Sequence, residues 1–225
     1  MDLKLDRVNE ENRGEITKPT LVLCEGKRDA SFILHLTANR QINGIQVGYP
    51  DEVTSNTTGN SGYREYLEKL RARTGFMGIL RRVVILRDRN GSADTAFQDV
   101  AEQVRATAKY EVPQALEQET GGAPSIVVRL IPDTQTEGNL DVLLLSAIEA
   151  THPLNHCFDS YFACCNLSGM PVGKAAKIKL TTIVAASCQG NPSASLAFVW
   201  AERGNPIPLN SPKFNDVADF LRHFV

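Results

Sequence analysis

Thr20-Leu21-Val22-Leu23-Cys24-Glu25-Gly26-Lys27-Arg28-Asp29 is the stretch that decides the fold, because an apolar run stops abruptly at an acid followed by a glycine. A strand that ends this way delivers a carboxylate to its own C-terminal end. Gly26 lets the backbone turn there without a Cβ penalty. Lys27 to Arg40 then carries Ala30, Ile33, Leu34 and Leu36 at a spacing that predicts a helix packed back on a sheet. In open α/β sheets the crevice beyond the strand ends holds the ligand, so Glu25 stands where chemistry is usually done. The plainer reading of Glu25 is a first-turn acid favoured by the helix dipole. Both readings are open at this point.

The same unit recurs down the chain. Within Arg81 to Asp88, Val83-Val84-Ile85-Leu86 is a continuous apolar run of the kind shown by a strand buried on both faces, and it too ends in an acid, Asp88. After Asn90-Gly91, the residues Phe97, Val100, Ala101, Val104 and Ala108 recur at helical spacing. Asn-Gly can mark a hairpin, but a helical period after it excludes one. Ser125 to Ile131 is another buried strand, closed by Pro132-Asp133, and Thr136-Glu137-Gly138-Asn139-Leu140-Asp141 opens a helix through Leu143, Leu144, Ala147 and Ile148. A shorter strand is expected at Gly44 to Gly48. Asp51 to Gly62 reads as a turn-rich polar loop before a helix whose Tyr63, Tyr66, Leu67 and Leu70 share a face. Alternating strands and helices imply right-handed crossovers and a mostly parallel α/β sheet.

Three regions follow from this rhythm. Residues 1–18 alternate acids, bases and polar groups without a period and are expected to form a loose arm, set off by Pro19. Residues 19–150 form the α/β core. Residues 151–225 form a mainly helical extension packed on it, with helices at 155–167 and 173–187 and a last amphipathic one through Phe214, Val217, Ala218, Leu221 and Phe224. Trp200 is expected to anchor core packing.

A chain of 225 residues with 42% hydrophobic side chains can bury a full core. A net charge of −2 argues against a surface that is basic all over, while leaving room for a local basic patch. The cysteines Cys24, Cys157, Cys164, Cys165 and Cys188 are odd in number, form no Cys-x-x-Cys pair and lie in apolar sequence, so they read as reduced thiols of a cytoplasmic protein. The charged N-terminal segment does not resemble a signal peptide, and no apolar run approaches a membrane span.

Several chemistries fail on spacing. A phosphate-binding loop ending at Gly26-Lys27 would need glycine where Leu21 stands and Ser or Thr where Arg28 stands. His152 and His156 have a zinc-compatible spacing, but Pro153 lies between them and no second ligand pair is evident. There is no Gly-x-Ser-x-Gly elbow for an acyl-transfer serine. What is left is an acid at each of two strand ends and an acidic cluster after a third. Hard cations such as Mg²⁺ take carboxylate oxygens, and a pair of them can clamp both oxygens of a phosphodiester displacement. Basic residues also gather: Arg71, Arg73, Arg81, Arg82, Arg87 and Arg89 flank the second motif, and Lys174 and Lys177 share a helix face. Groups of this kind hold backbone phosphates.

These residues carry a family resemblance. Leu23-Cys24-Glu25-Gly26-Lys27-Arg28-Asp29 resembles the glutamate motif of the Toprim (topoisomerase-primase) domain, and Val84-Ile85-Leu86-Arg87-Asp88-Arg89-Asn90 resembles its Asp-x-Asp strand. Ile131-Pro132-Asp133 with Glu137 to Leu144 is similar to the third segment of small stand-alone Toprim proteins related to the OLD-family nucleases. The Lys174-Ala175-Ala176-Lys177 helix and the Phe214 to Phe224 end are similar as well.

The resemblance implies a Rossmann-like sheet, Mg²⁺ or Mn²⁺, and phosphodiester cleavage or transfer. Glu25 would act as general acid or base and share in holding the metal, with Asp88 as its catalytic, metal-holding partner. The second aspartate of Asp-x-Asp is Asn90 here, a neutral ligand, with Asp94 as a substitute if it does not cap the next helix. The third segment offers Glu137 or Asp141. Lys27, Arg89, Lys174 and Lys177 are the candidates for phosphate.

The expectation is therefore a metal-dependent, nuclease-like Toprim protein acting on DNA or RNA, with no membrane role and with oligomerisation open. Topoisomerase and primase activities are not expected, because the chain leaves little room for the extra domains they need. Asn90 keeps an alternative in play: a catalytically weak Toprim module that binds nucleic acid or nucleotide, or regulates a partner ATPase.

Overall fold

The computed structural model describes residues 4–5, 14–50, 62–148, 152–167 and 169–225. In chain order the strands and α-helices are β1 (Lys4–Leu5), β2 (Thr20–Leu23), α1 (Lys27–Asn39), β3 (Ile45–Tyr49), α2 (Tyr63–Leu70), β4 (Arg82–Asp88), α3 (Ala93–Thr107), β5 (Ser125–Ile131), α4 (Leu140–Ser146), α5 (Asn155–Cys164), α6 (Val172–Ser187) and α7 (Asn215–His223). The strands form one sheet in the order β1-β3-β2-β4-β5. β2 pairs in parallel with both β3 and β4, and β4 with β5, while β1 joins β3 antiparallel. This is the Rossmann-like α/β architecture that the repeated strand-acid-helix unit predicts.

Side-chain alternation explains why the sheet is covered on both faces. Val22, Val84, Leu86 and Val127 point into a core shared with α1, α4, α6 and α7. Leu21, Leu23, Val83, Ile85, Ile126 and Val128 point into a second core shared with α2 and α3. Each such side chain contributes roughly 1.5–3 kcal/mol of burial free energy. The apolar runs that looked continuous in sequence are thus two period-two faces superposed.

The extension is fastened at the edge of the sheet where the strands begin. The hydroxyl of Thr20 donates to the Phe224 carbonyl at 2.7 Å, and Arg82 Nη1 donates to the same oxygen at 3.3 Å. The start of α7 is held to β5 as well: Arg129, 3% exposed, pairs with Asp216 and with Glu117 and lies over the Phe220 ring.

Three expectations change. Residues 14–18 are not loose: Ile16 is 2% exposed, its N–H donates to the Thr74 carbonyl at 2.8 Å, and β1 pairs with β3. The physical reason is Gln46, a buried amide on β3. It accepts from the Thr17 N–H at 2.9 Å and donates to the Glu15 carbonyl at 2.7 Å, so the segment satisfies a polar group that burial would otherwise orphan. The remainder of the expected arm and the loop at 51–61 lie outside the described residues. Gly26 needs no special conformation, since its φ of −148° is extended backbone open to any residue; it is the N-cap of α1. The cysteines divide: Cys24 and Cys188 are buried, but Cys157, Cys164 and Cys165 are exposed, and all are free thiols.

Candidate functional site

Because β2, β4 and β5 are parallel, their C-terminal ends share one edge of the sheet, and the turns that follow them meet there. Glu25 follows β2, Asp88 is the last residue of β4, and Asp29 comes from the first turn of α1. The chain leaving β5 folds back over the same edge, where the Gly138 N–H donates to the Arg89 carbonyl at 3.2 Å. Gly138 has a φ of +137°, and a Cβ there would lie 2.5 Å from Val142 Cγ2, so a glycine is required. This turn starts α4 at the right point for the Leu140 N–H to reach Asp88 Oδ1 at 3.0 Å. Asp29 Oδ2 is held in turn by the Gly26 N–H at 2.9 Å.

Glu25, Asp29 and Asp88 line a small void of about 10 Å³, room for one water-sized sphere, whose floor is apolar: Phe32, Leu86, Ile131 and Leu140. They also border a larger cleft of about 680 Å³, whose far wall is Lys177 and Thr181 of α6 together with residues 194–197. Burial and mutual repulsion penalise the ionised acids. The Asp29 carboxyl is pushed up to about 6, by burial first, with Glu25 adding repulsion and Arg28 opposing it. Asp88 is raised well above the ordinary carboxylate range by burial, then by the charges of Asp29 and Glu25.

Cations offset part of this. Arg87 Nη1 lies 2.9 Å from Glu25 Oε2 and its Nη2 lies 3.1 Å from Asp99 Oδ2. The guanidinium is held firmly protonated because Glu25, Tyr63, Asp99 and Asp88 together outweigh its burial. Arg28 Nη1 pairs at 2.9 Å with Asp141 Oδ1, whose side chain is fully buried. Burial still raises the Asp141 carboxyl despite that partner.

Of the residues expected at the site, Glu25, Asp88 and, beside them, Asp141 come to this edge. Asn90, Asp94 and Glu137 are exposed and line neither cavity. Ser92 is the residue that caps α3, its Oγ accepting from the Thr95 N–H at 3.0 Å, and Asp94 merely occupies the first turn. Lys27 and Lys177 line the cleft, whereas Lys174 is exposed away from its lining. Arg89 keeps Nε and Nη1 buried without an acceptor among the described residues. Sequence reasoning missed Asp29, Arg87, Arg28 and Asp99 as site groups. Asp29 could have been found, because it stands four positions after Glu25 across a strand-to-helix turn; Asp99, nearly two helix turns into α3, carried no signal.

The carboxylates fit a hard divalent cation in kind. Among the described residues, Asp29 Oδ1 and Asp141 Oδ2 are buried without a hydrogen-bond donor, and Glu25 Oε2 has the Arg87 ion pair but no aligned donor. Of these, Asp29 and Glu25 line the one-sphere void, and oxygen donors in this state are what a hard cation takes. The side chains are nonetheless drawn towards Arg87, Arg28 and the Leu140 N–H. Among the described residues, no group of three or more His, Cys, Asp or Glu side chains is arranged to hold an ion. No helix among them is long and apolar enough to cross a membrane.

A family model described as "Protein of unknown function (DUF3226)" matches residues 19–225. No curated protein and no solved structure matches the chain.

Proposed function

The chain belongs to the DUF3226 family, a family of unknown function, and we propose that it is a metal-dependent phosphodiester hydrolase of the Toprim type, a nuclease. The observation that carries this reading is the trio Glu25, Asp29 and Asp88: half-buried, mutually repelling and, among the described residues, partly without hydrogen-bond donors, at the C-terminal edge of a parallel sheet beside a cation-lined cleft. A fold gains nothing from holding like charges together out of water unless something positive is to join them. Mg²⁺ or Mn²⁺ held by Glu25, Asp29 and Asp88 would offset most of the trio's charge and polarise a phosphodiester.

The chain's own groups divide the rest of the task. Lys27 and Lys177 attract the phosphates, and Arg28, steadied by Asp141, adds charge to the cleft. Arg89 lines neither cavity but has buried donors without an acceptor among the described residues. The apolar floor of the small void lies against Glu25, Asp29 and Asp88, where their charges are screened less than in bulk water. Glu25 is the carboxylate we assign to take the proton from the attacking water, as the phosphorus–oxygen bond to that water forms and the bond to the leaving sugar oxygen breaks. Free thiols throughout are consistent with a cytoplasmic setting, which belongs to the same proposal.

A specific observation favours a second reading. Arg87 already neutralises Glu25, and the Leu140 N–H already holds Asp88, so the trio is partly served without an ion. On that reading the protein is a catalytically weak Toprim module that binds nucleic acid or nucleotide, or regulates a partner such as an ATPase. The deciding experiment is a cleavage assay with Mg²⁺ or Mn²⁺ on single- and double-stranded DNA and RNA. If the hydrolase reading holds, wild type cleaves and Glu25→Gln is slower by about 10²-fold or more, the scale of general acid–base catalysis. Wild type that cleaves nothing under either metal leaves the module.

A further inference from the structure

One wall of the cleft is built from a segment that the proposed chemistry does not use. Residues 194–201 run along the outer side of α1: the Ser31 hydroxyl donates to the Ala197 carbonyl, the Trp200 ring stacks on His35 with centroids 5.5 Å apart, and it meets Phe32 at 5.9 Å. This docking buries Ala197 and Val199, yet Phe198 between them is 50% exposed. A firmly anchored turn thus presents a large apolar ring to water, where burial would have been favourable. Phe198 follows directly on the cleft wall, whose lining ends at Ala197; Lys27 Nζ lies over the ring 4.4 Å from its centroid, and Lys27 itself lines the cleft with Lys177.

Resting on the hydrolase reading, we propose that the cleft takes single-stranded nucleic acid, with a base stacked on Phe198 and the neighbouring phosphates held by Lys27 and Lys177. An exposed aromatic ring beside a cationic groove is the pairing that single strands require, because every base has a π-face and every linkage a charge. A base in a duplex keeps both faces stacked on its neighbours, so only an unpaired strand can lay a base on Phe198 without first being unstacked.

The test is fluorescence anisotropy in EDTA, so that nothing is cleaved, with end-labelled oligonucleotides as single-stranded DNA, single-stranded RNA and duplex DNA. Wild type is expected to bind a single strand more tightly than the duplex. Phe198→Ala should weaken that binding about ten-fold or more, and Phe198→Trp should retain it, because a stacking platform survives exchange of one aromatic for another. Lys27→Ala should reduce the slope of log affinity against log salt by about 0.7, the value for one lost phosphate contact on a single strand. Unchanged binding by Phe198→Ala overturns the proposal. So does a tryptophan variant as weak as the alanine one at an unchanged melting temperature, and so does duplex bound as tightly as single strand. The two readings fail separately: metal-dependent cleavage insensitive to Phe198 overturns the stacking site alone, and Phe198-dependent binding without cleavage supports it while overturning the hydrolase.

Discussion

Asp29→Asn measures the cost of holding an ionised carboxylate at this edge in the metal-free protein, from burial first and repulsion second. Asp29 has an ordinary value of 3.8 and stands at about 6 in the fold, so its folded value is the higher one. The sign follows from that. The fold favours protonated Asp29, and this contribution is complete below about pH 4 and is lost as pH rises through about 6. A difference of about 2 pH units corresponds to about 3 kcal/mol at neutral pH. Asparagine is uncharged like the protonated acid, its oxygen can still accept from the Gly26 N–H, and its amide can donate towards the undonated oxygens around it. Asp29→Asn is therefore expected to be more stable than wild type at pH 7 by up to about 3 kcal/mol, with the gap closing near pH 4. In a chain of 225 residues this raises the melting temperature by up to about 6–12 °C. The assay is urea denaturation of both proteins in EDTA across that pH range, beside thermal melts. An asparagine variant no more stable than wild type at pH 7, or a gap independent of pH, would refute the claim that an ionised carboxylate is held at a cost at this edge.

Three further outcomes are expected. Arg28→Ala leaves the fully buried Asp141 without its ion-pair partner and should cost about 3 kcal/mol in denaturant unfolding, most of it recovered in the double variant with Asp141→Asn. Arg87→Gln removes the cation that competes for Glu25 and should tighten Mg²⁺ binding in calorimetric titration; weaker binding would mean that Arg87 is needed to pose Glu25 for the ion. Asn90→Asp should leave metal affinity unchanged, because Asn90 is exposed and borders neither cavity, and a marked gain would return it to the ligand set.

The elements were legible because their signals are local. Val83 to Leu86 and Ile126 to Ile131 announce buried strands, and the paired residues Tyr63, Tyr66, Leu67 and Leu70 announce a helix face. That the C-terminal ends of these strands meet follows from the parallel connections alone, which is why Glu25 and Asp88 could be brought together in advance. Side-chain direction past a strand end is a different matter. Two residues beyond Leu86 the chain still holds Asp88 at the edge, but at Asn90 it has already turned towards α3, and no spacing rule reveals that. Glu137 and Asp141 show the same limit. They are four residues apart but only Asp141 is in α4, and the choice rests on Gly138, whose positive φ starts α4 so that Asp141 is buried against Arg28 while Glu137, in the preceding turn, remains in water. Arg87 was visible only as one of several arginines; its role depends on Asp99, a partner supplied by packing and not by sequence proximity.

The most direct test of the central claim is a calorimetric titration of Mn²⁺ into wild type and Asp88→Asn near pH 6, repeated in two buffers of different ionisation enthalpy. If Glu25, Asp29 and Asp88 form a cation site, wild type binds the ion at millimolar concentration or below. Binding also releases protons, because the cation drives the raised Asp29 and Asp88 carboxyls to ionise, and Asp88→Asn loses most of both effects. Wild type that takes up no ion at millimolar Mn²⁺, or that binds it as Asp88→Asn does and without proton release, contradicts the account.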